Sequence, residues 1–295
     1  MQDIFSYFQH YPVAWVIFVA LFSLLVGSFL NVVIYRLPIM LERDWKRECQ
    51  LLFEEEGIKL PVEIPNDRFN LVFPHSHCPS CKSPVKPWQN IPVLSYLLQK
   101  GKCTNCQTSI SLRYPFIEIL TAIAGVVAAI QFGCSEQTLW ALLFSYLLIS
   151  MCFIDLDTML LPDQLTLSML WLGLLANLAG AFVPLQDAVI GAVAGYMILW
   201  TIFQSFKLLT GKEGMGFGDF KLLAALGAWM GWQSLLIIVL LSSVVGAVAG
   251  IIILKLQEKD QQQAIPFGPY LAIAGWIAFY WHEQIVEFYM NTWVR

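Results

Sequence analysis

The sequence predicts an all-α polytopic membrane protein with about eight transmembrane helices and a zinc-binding insertion between the first and second of them. Two observations carry this fold class. Of the 295 residues, 58% are hydrophobic and 13% are charged, whereas soluble domains have roughly 45–50% apolar and about 25% charged residues. The apolar residues also fall in blocks of about 20, the length that a helix needs to cross a bilayer.

Eight apolar blocks define the predicted spans. The first follows a segment without Lys or Arg and precedes no small-residue cleavage site, so we expect a retained span rather than a secretory signal. The sixth block is short for a full crossing. The predicted spans are residues 13–35, 115–132, 137–155, 165–184, 186–206, 220–233, 235–254 and 266–282.

The basic residues predict how these spans are oriented. Lys and Arg are concentrated in segments 36–114, 207–221 and 255–264, and the alternate connections have none. With eight spans, every basic loop falls on one side of the membrane, and that side is cytoplasmic. We expect a first span at 1–35, a cytoplasmic zinc-binding domain at 36–114 and a membrane domain of about seven helices at 115–295. The sequence has no basic stripe, so we expect no nucleic-acid partner.

Four cysteines form two C-x-x-C pairs, CPSC and CTNC, separated by 21 residues, 82–102. This spacing is one residue beyond the usual template for structural zinc. Each pair forms a knuckle, and two knuckles close a tetrahedral site. Two disulfides are the alternative, but cytoplasmic thiols stay reduced. The predicted zinc ligands are Cys78, Cys81, Cys103 and Cys106.

Acidic residues are few in the membrane-associated stretches. FIDLDTMLLPDQL carries Asp155, Asp157 and Asp163, and GFGDF carries Asp219. By the predicted topology, the third span ends near Asp155 and Asp219 opens the sixth, both on the cytoplasmic side. These two acids are therefore expected at the same membrane depth, where they can face each other.

Two carboxylates a few Å apart share a proton, because both cannot ionise readily. One then acts as general base on a water molecule while the other donates a proton to a scissile carbonyl oxygen. Gly216 and Gly218, which flank Phe217, carry no side chain and let an extended substrate backbone approach closely. An aspartyl protease is one hypothesis for this pattern.

Other interpretations of the same acids stay open on these grounds. Asp219 after a glycine turn is typical of a helix N-cap, and Asp157 and Asp163 occupy positions typical of caps or interfacial loop acids. The acids also suit a cation site. A cation transporter and a zinc-dependent membrane scaffold without proteolysis are therefore the alternatives.

Five stretches, in order, resemble the bacterial type IV prepilin peptidases, a family of Gly-x-Gly-Asp intramembrane-type aspartyl proteases. GSFLNVVIYRLP (27–38) resembles the end of that family's first helix, and CPSC…CTNC its zinc-binding insertion. FIDLDTMLLPD and GFGDFKL resemble its two aspartate motifs, and IPFGPYL its C-terminal motif. The matches run from Gly27 to about Leu271, nearly the whole chain.

The resemblance implies an enzyme of the bacterial inner membrane that cleaves the basic leader from type IV prepilins or type II secretion pseudopilins. It also implies methylation of the new N-terminal residue with S-adenosylmethionine. Asp155 and Asp219 become the expected catalytic pair, with Asp157, Asp163, Gly216 and Gly218 supporting them. The four cysteines match the family's zinc ligands. The sequence contains no Gly-rich nucleotide fingerprint that locates the methyl-donor site.

Overall fold

The computed structural model describes residues 2–57, 67–212, 214–257 and 266–293, and these residues form helices and loops without a β-strand. The all-α prediction is thus confirmed for the described chain. Short 3₁₀ turns occupy Pro87–Asn90 and Trp232–Ser234. The helices are α1 (Gln2–His10), α2 (Pro12–Glu55), α3 (Leu94–Leu98), α4 (Arg113–Phe132), α5 (Glu136–Thr158), α6 (Asp163–Leu178), α7 (Leu185–Thr210), α8 (Phe217–Met230), α9 (Leu235–Gln257) and α10 (Gly268–Trp293).

Among the described residues, five segments are long and apolar enough to cross a membrane: α2, α4, α5, α7 and Trp232–Ile252. The protein is therefore a multi-pass membrane protein, and the count of eight spans stays a prediction. The chain forms two compact units, residues 11–127 and residues 1–10 with 128–295. The predicted domain boundaries after residues 35 and 114 also stay predictions.

The first predicted helix does not end near residue 35. It continues through Pro38 as α2, which has 44 residues and a length of about 66 Å. The apolar pattern marks where the chain leaves the bilayer, and the charged stretch that follows consists mostly of good helix formers. Ion pairs one turn apart, such as Lys46–Glu42 at 2.6 Å, support the extension.

Within the unit 11–127, the inner part of α2 packs closely on the first turns of α4. A Cβ added at Gly27 would lie 2.8 Å from the Glu118 Cα, so only glycine allows this approach. Four residues later, the Asn31 amide donates to the Tyr114 carbonyl oxygen at 3.2 Å. The contact places the middle of α2 beside the start of α4.

Arg36, at the end of the apolar part of α2, is buried. Its guanidinium donates to the carbonyl oxygens of Asn70 at 2.9 Å and Pro74 at 2.6 Å. A buried cation needs such partners because desolvation is costly. Arg36 therefore attaches the loop that leads into the first cysteine pair to the helix.

In the unit containing 128–295, α8 is the central helix. It packs against α6, α7, α9 and α10, and nearly all of its side chains from Asp219 to Met230 are buried. The contact with α7 is backbone to backbone, because a Cβ added at Gly227 would overlap the Gly191 carbonyl. With 14 residues, α8 is about 21 Å long, which is shorter than a bilayer core of about 30 Å.

The C-terminal end of α8 is held by side-chain hydrogen bonds between α6 and α8. The Asn177 amide donates to the carbonyl oxygen of Ala228 at 2.8 Å, which satisfies a helix-end carbonyl. The Trp229 indole N–H donates to the Met169 carbonyl oxygen at 2.8 Å. These bonds leave α8 little freedom to slide, so the acid at its other end has a defined position.

Candidate active site and metal centre

Asp155 lies in the last turn of α5, and 5% of its surface is exposed. Gly268, the first residue of α10, donates its backbone N–H to the Asp155 carboxylate. The Oδ2 atom of Asp155 is buried and has no hydrogen-bond partner within the described residues. Buried polar atoms are nearly always hydrogen-bonded, so this oxygen marks a position for a proton, a water molecule or a substrate.

Asp219 is the third residue of α8, and 7% of its surface is exposed. The N-cap of α8 is Gly216, so the interpretation of Asp219 as an N-cap is wrong. Its carboxylate lies within range of charge repulsion from Asp155 and near the backbone N–H of Gly216. The last turn of α5, the first turn of α8 and the start of α10 therefore meet at two buried acids.

The glycines around these acids have different surroundings. A Cβ at Gly218 would lie 2.7 Å from the Leu161 Cβ, and one at Gly268 would lie 2.6 Å from Asp155 Oδ2. Both glycines are thus required for close packing within the protein. An added Cβ at Gly216 would meet no atom closer than 3.8 Å, so the space next to Gly216 is open. The corresponding space next to Gly218 is filled by the Leu161 side chain.

The other two predicted acids lie at the exposed rim. Asp163 is the first residue of α6, after the N-cap Pro162, and its carboxylate accepts a hydrogen bond from the Lys221 ammonium at 2.6 Å. Asp157 is exposed near the end of α5. Since Lys221 is two residues beyond Asp219, the ion pair links the starts of α6 and α8.

An apolar groove of about 340 Å³ lies between α7, α9 and the start of α10. Its walls include Leu199 of α7, Val239 of α9 and Tyr270 of α10. Met215 and Phe267 also line it. Met215 directly precedes Gly216, whose backbone N–H faces the Asp219 carboxylate, and Phe267 directly precedes Gly268, whose backbone N–H faces the Asp155 carboxylate. The groove therefore extends to the two chain segments that lead into the acid site.

The four predicted zinc ligands come together in the unit 11–127. Their sulfur atoms lie within 4.8 Å of one another. Cys78 and Cys106 are 3.7 Å apart at Sγ, and Cys81 and Cys103 are 3.9 Å apart. Tetrahedral zinc with Zn–S bonds of about 2.3 Å requires sulfur separations of about 3.8 Å. The donor set thus fits zinc, and all seven cysteines are free.

The two knuckles share one backbone design. Cys78 N–H donates to the Ser83 carbonyl at 2.9 Å, and Cys103 N–H donates to the Thr108 carbonyl at 2.9 Å. The residue after the second cysteine of each pair, Lys82 with φ 57° and Gln107 with φ 58°, has a left-handed conformation. The shared geometry is a local repeat, which exposes backbone N–H groups to the sulfur atoms.

Hydrogen bonds to the sulfur atoms of Cys81 and Cys103 favour the thiolate form that binds metal. The Ser83 hydroxyl, with Asn105 as the next contributor, lowers the pKa of Cys81 to about 5. The backbone N–H of Cys106 lowers the pKa of Cys103. Two thiols are therefore prepared for metal binding by their own loops.

Sequence reasoning did not assign roles to two residues at the acid site. Gly268 donates to Asp155, and Leu161 packs against both Gly218 and Gly268. The motif IPFGPYL could have indicated the role of Gly268, because a glycine at the start of a helix presents a backbone N–H that no side chain obstructs. No pattern in the sequence indicated Leu161, whose part depends on non-local packing.

Two family models match two consecutive parts of the chain. The model described as Bacterial Peptidase A24 N-terminal domain matches residues 21–132. The model described as Type IV leader peptidase family matches residues 142–251. The first match contains the four cysteines, and the second contains both buried acids.

Curated relatives cover nearly the whole chain. A prepilin leader peptidase/N-methyltransferase of Aeromonas salmonicida strain A449 is 56% identical over 280 residues, 94% of this chain and 95% of the relative. The protein of the same description from Pseudomonas aeruginosa is 50% identical over 290 residues, 98% of both chains. That from Neisseria gonorrhoeae is 51% identical over 267 residues, 90% of both. No solved structure has a significant match.

Proposed function

The chain belongs to the bacterial type IV leader peptidase family, and from this premise we propose that it cleaves the leader from type IV prepilins or type II secretion pseudopilins. It then methylates the new N-terminal amine with S-adenosylmethionine. The observation that carries the peptidase proposal is the meeting of Asp155 and Asp219, one of them with an unpartnered buried oxygen.

The two acids divide the work of hydrolysis. One carboxylate takes a proton from water, whose oxygen forms a bond to the scissile carbonyl carbon, and the other acid donates its proton to the carbonyl oxygen. When the C–N bond breaks, a proton passes to the leaving amine. The Gly268 N–H orients Asp155, and the near absence of solvent strengthens each of these interactions.

The substrate's position follows from its chemistry. A prepilin carries an apolar helix directly after its cleavage site, and the apolar groove that begins at Met215 and Phe267 suits such a helix. Lipid holds the rest of that helix at a defined depth. Gly216 leaves room for the extended backbone at the scissile bond, whereas Gly218 serves the packing of α8 on Leu161.

Zinc has a structural role in this proposal. Cys78, Cys81, Cys103 and Cys106 would hold the ion, which supplies folding free energy to a loop-rich segment. Four thiolates close the coordination sphere, as in structural rather than catalytic sites. The positive-inside pattern supports a position of this domain and of the active site on the cytoplasmic face of the inner membrane. We expect the methyl-donor site in the same domain, at residues that we do not assign.

The alternatives of a cation transporter and of a scaffold without chemistry are not favoured by the family. The two alternatives also predict different experimental outcomes. A transporter gives ion-dependent flux in liposomes, and a scaffold tolerates loss of either carboxylate.

The test uses purified full-length protein in detergent or nanodiscs with a prepilin and labelled S-adenosylmethionine. Asp155→Asn or Asp219→Asn is expected to lower the cleavage rate by about a thousandfold or more, because an amide neither takes up nor donates the required proton. Both variants are expected to methylate a pilin that is supplied already cleaved, which shows that they are folded.

Asp187→Asn is the matched control. Asp187 lies at the start of α7, where its carboxylate accepts a hydrogen bond from Gln233 at 3.2 Å, and it is expected to leave cleavage unchanged. Near-normal cleavage by either Asp155→Asn or Asp219→Asn contradicts the proposed pair.

A further inference from the structure

We propose that the zinc-binding domain is seated on the membrane through residues 87–98, the leucine segment. Its apolar side chains enter the interfacial zone of the bilayer, and lysines beside it contact anionic phospholipid headgroups. The proposal is independent of the proposed catalytic pair.

The depth of the leucine segment follows from a hydrogen bond to α4. The Val93 N–H donates to Glu118 Oε2 at 2.7 Å. Glu118 is the sixth residue of α4, about 7.5 Å along the helix from its start. α4 has 20 residues, so it needs its full length to cross a hydrocarbon core of about 30 Å. The backbone of Val93 therefore lies about 7.5 Å inside the start of the span, within the depth of about 5–10 Å to which interfacial apolar segments enter the headgroup and acyl boundary.

The side chains around Val93 are apolar and exposed. Leu97 and Leu98, on α3, are 65% and 75% exposed, and Trp88, on the preceding 3₁₀ turn, is 63% exposed. In an extramembrane domain that faced only water, such a cluster would be unfavourable. At interfacial depth the same residues lie where lipid replaces water, and tryptophan is enriched in that zone.

The positive charge of this region favours contact with anionic lipid over contact with an apolar protein surface. From Arg68 to Ile117 the sequence has Lys and Arg residues but no Asp or Glu, and the stretch stays net positive even with four thiolates around a divalent ion. Lys86 lies 5.3 Å from the ring centroid of Trp88, and Lys100 lies two residues beyond the end of α3. Lysines beside interfacial apolar residues attract anionic lipids.

Contact of the leucine segment with the membrane also gives a role to Glu118, a buried carboxylate on the membrane helix α4. Glu118 is 8% exposed, and its oxygen holds a backbone N–H of a residue with an unusual φ of 58°. An acid at this depth is costly. The bond to Val93 couples the start of α4 to the leucine segment and sets how deeply the segment lies.

The first experiment places the photo-crosslinking residue benzoylphenylalanine at position 97, 98 or 80 of the full-length protein. Each protein is assembled with zinc in nanodiscs of phosphatidylcholine and phosphatidylglycerol and then irradiated. Lipid adducts at 97 and 98 are expected to exceed those at Ser80, an exposed position on the first knuckle, by about tenfold, because acyl chains surround only the interfacial positions. Adducts to protein at 97 and 98, or equal lipid yields at all three positions, overturn the proposal.

The second experiment tests the charge. Backbone amide exchange in residues 87–98 is compared in nanodiscs with and without phosphatidylglycerol, for the native protein and for the double variant Lys86→Gln/Lys100→Gln. Protection in the native protein is expected to rise with the anionic lipid by about fivefold per lysine, and the double variant is expected to lose this dependence while keeping its zinc. Protection that does not respond to anionic lipid overturns the headgroup contact.

Discussion

The helix that carries Asp219 and the knuckles that carry the cysteines reach defined positions by opposite means. α8 is surrounded by four helices, and its place depends on backbone contacts with residues far away in sequence, such as Gly191 with Gly227. Each knuckle is shaped by bonds within six residues, such as Cys78 N–H to Ser83. The acid site depends on packing, whereas the cysteine site depends on local turns and, by our proposal, on a zinc ion.

The contrast shows which substitutions are expected to damage each site. The acid site is damaged by added volume at a distance, because close-packed interiors transmit strain. The metal site has few buried apolar side chains around it, so distant changes matter little and ligand loss matters most.

Loss of the metal is expected to have the largest effect. The double variant Cys78→Ser/Cys103→Ser should fall from about one zinc per chain to none and lose the fold of residues 67–112, since structural zinc contributes about 10 kcal/mol or more. Metal analysis measures the zinc content, and hydrogen exchange measures the loss of the fold. Residues 128–293 should keep their amide protection. A zinc-free protein with protected knuckles contradicts the metal-dependent half of the comparison.

Added volume between α7 and α8 is expected to have the next largest effect. In Gly227→Ala the new methyl group meets the Gly191 backbone, which cannot rotate away, and the free energy of unfolding should fall by about 3 kcal/mol. Denaturation in mixed micelles, followed by tryptophan fluorescence, measures this change.

Gly246→Ala is the matched control for that variant. An added Cβ at Gly246 would lie 3.2 Å from a carbon of the Tyr270 ring, and a side chain is able to shift. Its effect should be clearly smaller than that of Gly227→Ala, while zinc content stays unchanged in both. Equal losses in the two variants would show that α8 is not positioned by its backbone contact with α7.

Relief of backbone strain in a knuckle is expected to have the smallest effect. Lys82 adopts a left-handed φ of 57°, which costs a side-chain-bearing residue roughly 1–2 kcal/mol. Lys82→Gly removes this cost but increases the freedom of the unfolded chain, so stability with zinc should rise by no more than about 1 kcal/mol. Competition with a chelator measures the change in zinc affinity.

Lys86→Gly is the control for this substitution, because Lys86 has an ordinary φ of −75°. It should weaken the knuckle slightly or leave it unchanged. A larger gain from Lys86→Gly than from Lys82→Gly would contradict the strain argument.

Much of the knuckle was predictable from the sequence, and less of the acid site was. The C-x-x-C pairs predicted a cluster because two residues between cysteines suffice to bring two sulfur atoms to one side of a turn. For the acids, charge topology indicated a shared depth for Asp155 and Asp219, but it did not reveal Leu161 or the Gly268 N–H between them. The end of α2 was also misplaced, since apolar content marks the bilayer boundary and not the end of helical hydrogen bonding.

Composition and short residue spacing alone indicated the all-α membrane class, the four cysteines as a candidate metal site and the two acids as candidate catalytic residues. Each of these depends on composition or on short spacing, which the chain carries wherever it folds. The tertiary structure decided that α8 is a short buried helix, that Gly218 serves packing while Gly216 stays open, and that Val93 lies at the depth of Glu118. Those facts depend on which distant backbones approach each other, and that is settled only when the helices pack.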